Sequence, residues 1–289
     1  MRPAWHRDKG FARELAIHEN LKGLKNMLSA IKHFFVSSRI GPLARKLFAS
    51  KAETLSHGGA AAVSEPPETL AFRAASTVRA LERIASRGIE IECVIDVGAS
   101  NGMWTAATMP VFPGARYLLV EAQKGHLDAL QHFVKQHSNA EYVLAAAGDE
   151  ESTVFFDDGN LFGVVASKEQ TVAAKIRVPM ITLDAEVKRR GLKGAYLVKL
   201  DTHGFEVPIL KGAVETLKMT NLVVIETYNF RIAPGSLLFH EMCGFMEKHG
   251  FGVIDISEPL WRTHDRSFWQ IDLFFVRLDR PEFSYLAYA

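Results

Sequence analysis

The segment VIDVGASNG, residues 94–102, decides the fold class. It reads as an apolar strand that ends in a carboxylate, Asp96, and then turns through glycines into a helix. In doubly wound α/β sheets, ligands bind at the carboxyl ends of the strands, and glycines there let a ligand approach the backbone closely. Gly98 and Gly102 are spaced as G-x-x-x-G, whereas a dinucleotide site needs GxGxxG to seat a pyrophosphate on the helix N-terminus. With Asp96 beside the turn, this spacing favours a cationic ligand.

The second predicted strand supplies another carboxylate. It ends in Glu121, nineteen residues after Gly102, where a carboxylate can accept hydrogen bonds from both hydroxyls of a ribose. An adenosine that carries positive charge meets both conditions, and S-adenosylmethionine fits through its ammonium and sulfonium groups. A purely structural interpretation stays open, in which Asp96 caps the following helix and Asn101 supplies a left-handed turn.

Outward from this segment, strand-like and helix-like stretches alternate. The predicted strands are residues 92–97, 116–121, 141–146, 195–201, 222–227, 251–257 and 271–277, and the predicted helices are residues 68–86, 102–109, 125–137, 206–219 and 236–249. Such apolar strands between amphipathic helices indicate an α/β fold with a mostly parallel sheet covered on both faces. The last two strands are joined by a loop, so we expect an antiparallel final strand. STVFFDD (152–158) and KIRVPMITLD (175–184) predict short extra strands on an insertion.

The N-terminal part has a different composition. Ten Lys/Arg residues against three acids give residues 1–50 a net charge of +7, and apolar residues at three- and four-residue steps predict a basic amphipathic helical arm. Residues 51–68 read as a linker, and 69–289 as the main domain. The arm is interpreted either as a contact to a membrane surface or to a partner, including a second copy of the chain, or as a helix packed on the main domain.

Composition excludes several classes of protein. The 289 residues are 48% hydrophobic and 23% charged with a net charge of +1, which is typical of a globular protein rather than a disordered or fibrous one. Two distant cysteines, Cys93 and Cys243, predict neither a disulfide framework nor a zinc site, and no stretch is apolar enough for a membrane span. We therefore expect a cytoplasmic protein, peripheral at the membrane if the arm attaches there. The net acidic main domain argues against nucleic acid as a partner.

Several ordered blocks resemble one family. They are DVGASNG (96–102), VEAQ (120–123), VPMITLD (178–184), VKLDTHGFEVPILKGA (198–213), VVIET (223–227) and, more weakly, PLWRTHDRSFWQIDLFFV (259–276). Together they resemble the FkbM family of S-adenosylmethionine-dependent methyltransferases. The resemblance implies a seven-stranded Rossmann-like sheet with a reversed last strand, S-adenosylmethionine as cofactor and S-adenosylhomocysteine as product.

The resemblance also implies a cofactor-binding set. Its members are Asp96, Gly98, Ala99, Ser100, Asn101, Gly102, Trp104, Glu121 and Ala122. The usual family pattern is GANxG followed by an acid and a proline. Here Ser100 separates Ala99 from Asn101, and Ala122 replaces the proline, so the sequence keeps both carboxylates but changes the loop between them.

The chemistry is expected in LDTHGFE, residues 200–206. Methyl transfer needs an aligned acceptor, and a hydroxyl acceptor also needs a base. His203 is the candidate, either as that base or as a hydrogen-bonding orienter, because an imidazole can exchange a proton near neutral pH. Asp201 is expected to orient the acceptor or stabilise the cofactor's positive charge, with Glu226 as a second polar wall. A divalent metal on Asp201, His203, Glu206 and Glu226 is an alternative but not the prediction.

Acceptor residues are expected in the loops after the fifth and sixth strands. They are Asn229, Arg231, Trp261, Arg262 and Asp265. Aromatic faces beside Asn, Asp and Arg are suited to sugar rings, so the predicted activity is O-methylation of a small-molecule or glycan hydroxyl. Two alternatives remain at this point, an NAD-dependent oxidoreductase and a non-catalytic methyltransferase-like binding module.

Overall fold

The computed structural model describes residues 67–157, 166–171 and 174–288. The basic arm predicted at residues 1–50 lies outside the described residues, and so do residues 51–66 of the predicted linker. The expected membrane contact or self-association through the arm falls there too. No helix in the described part of the chain combines the length and the hydropathy of a membrane span.

Helices and strands alternate as the sequence predicts. In chain order they are α1 (Pro67–Ser86), β1 (Cys93–Val97), α2 (Met103–Thr108), β2 (Arg116–Glu121), a 3-10 turn (Lys124–His126), α3 (Leu127–Gln136), β3 (Ala140–Leu144), β4 (Ala146–Ala147), β5 (Ser152–Asp157), β6 (Ala174–Ile181), α4 (Leu183–Arg189), β7 (Tyr196–Leu200), α5 (Glu206–Lys211), α6 (Val214–Lys218), β8 (Thr220–Tyr228), α7 (Phe239–Lys248), β9 (Phe251–Trp261), β10 (Phe268–Arg277) and a 3-10 turn (Pro281–Phe283).

The main sheet has the predicted topology. Seven strands lie in the order β3-β2-β1-β7-β8-β10-β9, and β10 runs antiparallel to both of its neighbours while the other pairs are parallel. A short connection from β9 to β10 permits only antiparallel pairing, whereas parallel neighbours need longer crossovers. The strand order reverses between β1 and β7, which is where ligands bind in such sheets.

Both faces of the sheet are covered by apolar side chains. Every residue of β1 and of β7 is buried. On one face, Leu81 and Ile84 of α1 belong to the same core cluster as Val94 and Phe274. The opposite face packs a second cluster that includes residues of α5 and α7. The central strands are therefore fixed on both sides, and their carboxyl ends are held in a rigid line.

The insertion forms its own small sheet. β4, β6 and β5 pair in that order, which confirms the extra strands expected at residues 152–158 and 175–184, although the second ends at Ile181. Its core includes Val154, Val178 and Met180, and Ala122 and Phe205 pack against it. The small sheet thus adjoins both the segment after β2 and the segment after β7.

Three predicted elements differ from the structure, and the first is the strand expected at residues 141–146, which is divided between β3 of the main sheet and β4 of the small sheet. The helix expected at residues 206–219 is two helices, α5 and α6, that are separated at Gly212, where an added Cβ would lie 1.9 Å from the carbonyl oxygen of Gly148. This close backbone approach between distant segments has no signature in the local pattern. The strand expected through residue 184 ends earlier, because the Thr182 hydroxyl accepts a hydrogen bond from the Ala185 N–H at 3.2 Å and begins α4.

Candidate active site

The loop after β1 is tied to the end of β2 by hydrogen bonds. Ser100 has a φ of 51°, and its N–H donates to Glu121 Oε2 at 2.7 Å. The Gln123 N–H donates to the other oxygen, Oε1, at 2.7 Å. Two backbone donors therefore fix the buried Glu121 carboxylate, and the additional Ser100 of this sequence supplies one of them.

Asn101 ends the loop and begins α2. Its Oδ1 accepts a hydrogen bond from the Met103 N–H at 3.3 Å, and Gly102 has a φ of 80° that suits glycine. Ala99 is buried, at 4% exposure, in the core cluster beneath the loop. The structural interpretation of Asn101 is wrong, because the left-handed residues of this loop are Gly98, Ser100 and Gly102. A role of Asn101 at a cofactor stays a prediction, and its side chain is half-buried.

Asp96 lies under this loop rather than on its surface. Its side chain is 1% exposed, and one oxygen accepts a hydrogen bond from the Thr105 hydroxyl at 2.7 Å. The other oxygen, Oδ1, has no hydrogen-bond partner and lies 3.6 Å from the ammonium of Lys199. Burial raises the pKa of Asp96, against the opposing effect of Lys199. The cation nearest to Asp96 is thus one from the protein itself.

The loop after β1 also contacts the segment after β7. An added Cβ at Gly98 would lie 2.0 Å from the carbonyl oxygen of Asp201, and the Asp201 N–H donates to the Val97 carbonyl at 3.0 Å. Only a residue without a side chain leaves room for this contact. The predicted cofactor loop and the predicted catalytic segment therefore meet backbone to backbone.

Three of the predicted catalytic side chains converge beyond this contact. His203 Nε2 lies 3.9 Å from Asp201 Oδ1 and 3.8 Å from Glu226 Oε2. Their ligating atoms lie within 4.8 Å of one another, so, among the described residues, this cluster also has the donor set of a divalent-cation site. Asp201 and His203 are about one-third exposed, whereas Glu226 is buried. A molecule outside the protein can therefore reach the imidazole.

A tight turn orients the His203 imidazole toward the carboxylates of Asp201 and Glu226. His203 has a φ of 52° and Gly204 a φ of 100°, and both conformations are left-handed. Buried Glu206 stabilises the turn, since its Oε1 accepts hydrogen bonds from the Gly204 N–H at 2.9 Å and the Thr202 hydroxyl at 3.1 Å. Burial raises the pKa of Glu206. Glu206 thus supports the cluster from below and does not belong to it.

The two carboxyl groups of the cluster differ in their proton affinity. Burial raises the pKa of Glu226 well above its usual value, and the charges of Asp201 and Asp272 add to this effect. Burial acts in the same direction on Asp201, but the Lys199 ammonium and His203 outweigh it and hold that pKa well below its usual value. Asp201 is therefore the ionised member, and Glu226 the one that retains a proton more readily.

Neighbouring strands supply further polar groups that the sequence analysis did not identify. The Tyr228 hydroxyl and the Gln270 amide both donate short hydrogen bonds to Glu226. Lys199 lies 5.5 Å from the centre of the Trp104 ring, whose indole N–H is buried without a hydrogen-bond partner. One signal was present, since a lysine interrupts the otherwise apolar strand LVKL at residues 197–200.

Aromatic rings form a continuous wall beside the cluster. Tyr228 lies 6.2 Å from His203 and meets Trp269 edge to face at 5.9 Å between ring centres. Trp269 stacks on Phe230 at 5.5 Å, and the Arg262 guanidinium lies 4.1 Å from the Phe230 ring centre. We call these residues, Tyr228, Trp269, Phe230 and Arg262, the aromatic wall. It joins the loop after β8 to the loop between β9 and β10.

The five predicted acceptor residues occupy different positions around this wall. Arg262 belongs to it and is paired with Asp265, whose Oδ1 lies 2.7 Å from Arg262 Nε. Trp261 is 54% exposed at the end of β9. The side chain of Asn229 donates to the Phe268 carbonyl at 3.3 Å, and that of Arg231 binds the Ser236 carbonyl and Glu241. The fold therefore already engages Asn229 and Arg231, while Trp261 offers a half-exposed ring.

Solved structures with a similar fold are distant in sequence. A proposed O-methyltransferase from Klebsiella pneumoniae is 11% identical, with 86% of this chain and 96% of that chain covered and a TM-score of 0.47. A proposed RNA methyltransferase from Pyrococcus horikoshii is 14% identical, with 80% and 98% covered and a TM-score of 0.43. Aeropyrum pernix fibrillarin, solved with natively bound S-adenosyl-L-methionine, is 13% identical, with 68% and 76% covered and a TM-score of 0.40. These likenesses are too weak to carry an argument about this chain.

The sequence itself gives a more specific match. No protein with a curated function matches the chain. The family model described as the Methyltransferase FkbM domain matches residues 96–253, more than half of the chain. The matched region runs from Asp96 through the converging cluster and into β9. It confirms the family resemblance and leaves the interpretation as an NAD-dependent oxidoreductase without support.

Proposed function

This chain belongs to the FkbM methyltransferase family, and we propose that it transfers the methyl group of S-adenosylmethionine to a hydroxyl on a sugar of a glycan or glycosylated metabolite. Bound S-adenosylmethionine supplies a methyl group that its sulfonium already activates. The remaining tasks fall to the protein, which must hold the acceptor oxygen in line with the methyl group and take its proton.

The residues around the loop after β1 fit this cofactor. The ionised, one-third exposed Asp201 suits a cofactor with ammonium and sulfonium charges, while the buried Asp96, which Lys199 compensates, lies beneath the loop. Glu121, held by two backbone N–H groups, retains lone pairs for the hydroxyls of a ribose. We assign cofactor binding to these carboxylates and to the loop of Gly98, Ala99, Ser100, Asn101 and Gly102, with Trp104 and Ala122 beside it.

One observation carries the assignment of a hydroxyl acceptor, the convergence of His203 on two carboxylates. A hydroxyl oxygen is a weak nucleophile unless its proton is removed during the transfer, whereas the lone pair of a neutral amine is nucleophilic without a base. His203 Nε2 faces Asp201 Oδ1 and Glu226 Oε2 at 3.9 and 3.8 Å, and the His203 side chain is 30% exposed. The cluster lies next to the cofactor loop, where the Gly98 backbone contacts Asp201. Its place and composition therefore suit deprotonation of an acceptor oxygen.

Each side chain of the cluster has a distinct part in this proton transfer. The hydroxyl proton would move to Nε2 of His203 while the acceptor oxygen takes the methyl group, whose bond to the sulfonium sulfur breaks to leave S-adenosylhomocysteine. The Asp201 carboxylate stabilises the imidazolium that forms, because an opposite charge at this distance favours it. Glu226 is the second polar wall of the acceptor position, and the imidazolium then loses its proton to solvent at its exposed edge.

The aromatic wall supports a sugar as the carrier of the hydroxyl. Sugar rings bind to proteins through apolar contact with aromatic rings and through hydrogen bonds to Asn, Asp and Arg. Tyr228 and Trp269 lie between the cluster and the Arg262–Asp265 pair. Trp261 adds a half-exposed ring at the end of β9. A ring that binds along the wall can thus present one hydroxyl to His203.

The test measures methyl transfer from labelled S-adenosylmethionine to a panel of sugars and glycosides by mass spectrometry. In His203→Ala we expect kcat to fall about 10²- to 10⁴-fold, the usual contribution of a general base, with unchanged affinity for S-adenosylhomocysteine. His240→Ala, which removes an exposed histidine on α7, is the control and should keep full activity.

The outcomes separate the remaining alternatives. Full turnover in His203→Ala removes the base role and leaves His203 at most an orienter. A product methylated on nitrogen overturns the hydroxyl assignment. Cofactor binding without transfer to any acceptor favours the non-catalytic binding module instead.

A further inference from the structure

A row of charged side chains crosses four strands on the face of the sheet that α1 covers. Asp96 on β1 is the register partner of Lys199 on β7, and Glu226 on β8 is the partner of Asp272 on β10. Lys199 pairs with Val224, which lies two residues before Glu226 on the same face. The deeper positions of these strands are apolar, so the row marks where the core ends. Lys199 carries the positive charge of this row.

Lys199 is buried among three groups from different elements. Its side chain is 5% exposed, and its ammonium lies 2.9 Å from Asp201 Oδ2 and 3.6 Å from Asp96 Oδ1. The Trp104 ring of α2 covers it at 5.5 Å. A lysine with so little exposure is rare unless it is paired, and here two carboxylates share it.

The two carboxylates belong to different parts of the site. Asp96 ends the strand that leads into the cofactor loop, and Asp201 belongs to the cluster around His203. Because Lys199 holds Oδ2 of Asp201, the other oxygen, Oδ1, is the one that faces His203 at 3.9 Å. The buried Lys199 ammonium therefore contacts both Asp96, beneath the predicted cofactor loop, and Asp201, in the cluster around His203.

We propose that Lys199 is a positioning residue that acts through Asp201, keeping this carboxylate ionised and turned toward His203 while it also neutralises Asp96. The expected effect of Lys199 on catalysis rests on the proposed function, whereas its hydrogen bond to Asp201 does not. Lys199 itself touches neither reacting atom, because Asp201 and Trp104 enclose its ammonium.

The electrostatic basis is the surplus of buried negative charge. Asp96, Asp201, Glu226 and Asp272 all lie within this charged region, and Lys199 is enclosed among them. Burial disfavours the charged form of Lys199, yet Asp201 and Asp96 raise its pKa well above the usual value. Without the ammonium, the carboxylates repel one another, and the pKa of Asp201, whose Oδ2 lies 2.9 Å from the ammonium in the wild type, rises.

This has a direct consequence for the pH dependence. An opposite charge within about 4–6 Å lowers the pKa of an aspartate by roughly 1–3 units, so its removal raises that pKa by a similar amount. As the pH falls, Asp201 then loses its charge at a higher pH than in the wild type. The other groups that face Asp201 are Asp96, His203, Glu226 and Tyr228, and the single variant leaves them in place.

If Lys199 forms only a structural salt bridge, we expect a different result. Buried ion pairs contribute little net stability and are often replaced by apolar residues without loss, provided that both charges are removed. If Lys199 only compensates Asp96, then Lys199→Met combined with Asp96→Asn should restore stability and match Asp96→Asn alone in activity. If Lys199 positions Asp201, the double variant should regain stability but remain less active than Asp96→Asn alone.

The experiment compares Lys199→Met, Lys199→Arg, Asp96→Asn and the Lys199→Met/Asp96→Asn double variant, with Lys193→Met as the exposed-lysine control. The Asp201 carboxyl carbon is titrated by NMR and assigned with Asp201→Asn. Melting temperature and kcat against pH are measured on the same proteins. Lys199→Arg keeps the charge and provides a folded variant if Lys199→Met is unstable.

For Lys199→Met and the double variant we expect the Asp201 transition to rise by about 1–3 pH units. We expect kcat at the pH optimum to fall about 10²-fold, relative to the wild type for the single variant and to Asp96→Asn alone for the double variant, because Asp201 is misplaced. Lys199→Arg should retain the wild-type transition, and Lys193→Met should match the wild type. An unmoved Asp201 transition in the double variant, or a kcat there equal to that of Asp96→Asn alone, overturns the proposal. The NMR titration needs no acceptor, so a shifted transition without any methyl transfer would contradict the proposed function alone.

Discussion

The proposed cofactor end and the proposed acceptor end of the site are built in different ways. At the cofactor end, a carboxylate binds backbone groups, as Glu121 accepts hydrogen bonds from the N–H groups of Ser100, 21 residues earlier in the chain, and of Gln123. At the acceptor end, side chains bind side chains of neighbouring strands, as Gln270 of β10 donates to Glu226 of β8. The cofactor end is therefore fixed by the backbone conformation of its loops, whereas the acceptor end depends on side chains that the strand register brings together.

A site built in this way can keep its cofactor end while its acceptor end changes. A loop held by its own backbone tolerates few changes, because each residue sets the conformation of the next. A wall of side chains such as Trp269 and Phe230 can be changed one residue at a time while the strands stay paired. We therefore expect substitutions at the cofactor end to affect folding and cofactor affinity, and those at the acceptor end to affect acceptor affinity.

The largest effect is expected where the two ends touch. In Gly98→Ala, the new Cβ would lie 2.0 Å from the Asp201 carbonyl oxygen, at a backbone φ of 79°. Overpacking and a left-handed alanine together should lower the free energy of unfolding by about 2–5 kcal/mol. Urea denaturation measures this change.

Gly88→Ala separates the clash from the conformational strain. Gly88 has a φ of 69°, but nothing lies within 4 Å of its added Cβ. This variant should therefore lose only about 1–2 kcal/mol. Equal losses in the two variants would contradict the close contact between the cofactor loop and Asp201.

A smaller and more selective effect is expected from Glu121→Gln. The amide keeps the shape of the carboxylate but loses the charge that strengthens hydrogen bonds from ribose hydroxyls and backbone N–H groups. Hydrogen bonds to charged groups contribute about 1.5–3 kcal/mol, which corresponds to a roughly 10- to 100-fold weaker affinity for S-adenosylmethionine. Calorimetric titration measures it, with Glu92→Gln as an exposed control. Unchanged affinity in Glu121→Gln would remove this residue from the cofactor site.

Features of the fold that local sequence patterns mark were predictable, and features that depend on distant residues were not. The strands were predictable because long apolar runs mark strands buried on both faces, and β2 has the predicted bounds, Arg116–Glu121. The helix α4 was missed although Thr182, followed by two acids, carries the signal of a helix start. The break at Gly212 had no such signal, since its cause is the distant Gly148.

The candidate site shows the same division. The family motif contained Asp201 and His203, and the end of a predicted strand identified Glu226, but their separations required a structure. The contact of Lys199 with Asp96 depends on the register of β1 with β7, and that of Tyr228 with Trp269 on the antiparallel pairing of β8 with β10. Register follows from packing across the sheet, which a single sequence does not display.

The smallest effect is expected from Arg262→Ala at the far end of the aromatic wall. Arg262 is partly exposed and paired with Asp265, and such surface pairs contribute little to stability, so the melting temperature should hardly change. Its guanidinium covers the Phe230 ring at 4.1 Å, and its loss should raise the KM for a sugar acceptor a few-fold while leaving kcat and the affinity for S-adenosylmethionine unchanged. Arg231→Ala is the matched comparison, because Glu241 and the Ser236 carbonyl already bind that arginine within the fold. Steady-state kinetics with both substrates varied distinguishes the two arginines. A larger KM effect from Arg231→Ala would place the acceptor near α7 rather than along the aromatic wall. An effect of Arg262→Ala on cofactor affinity would show that the two ends of the site are not independent.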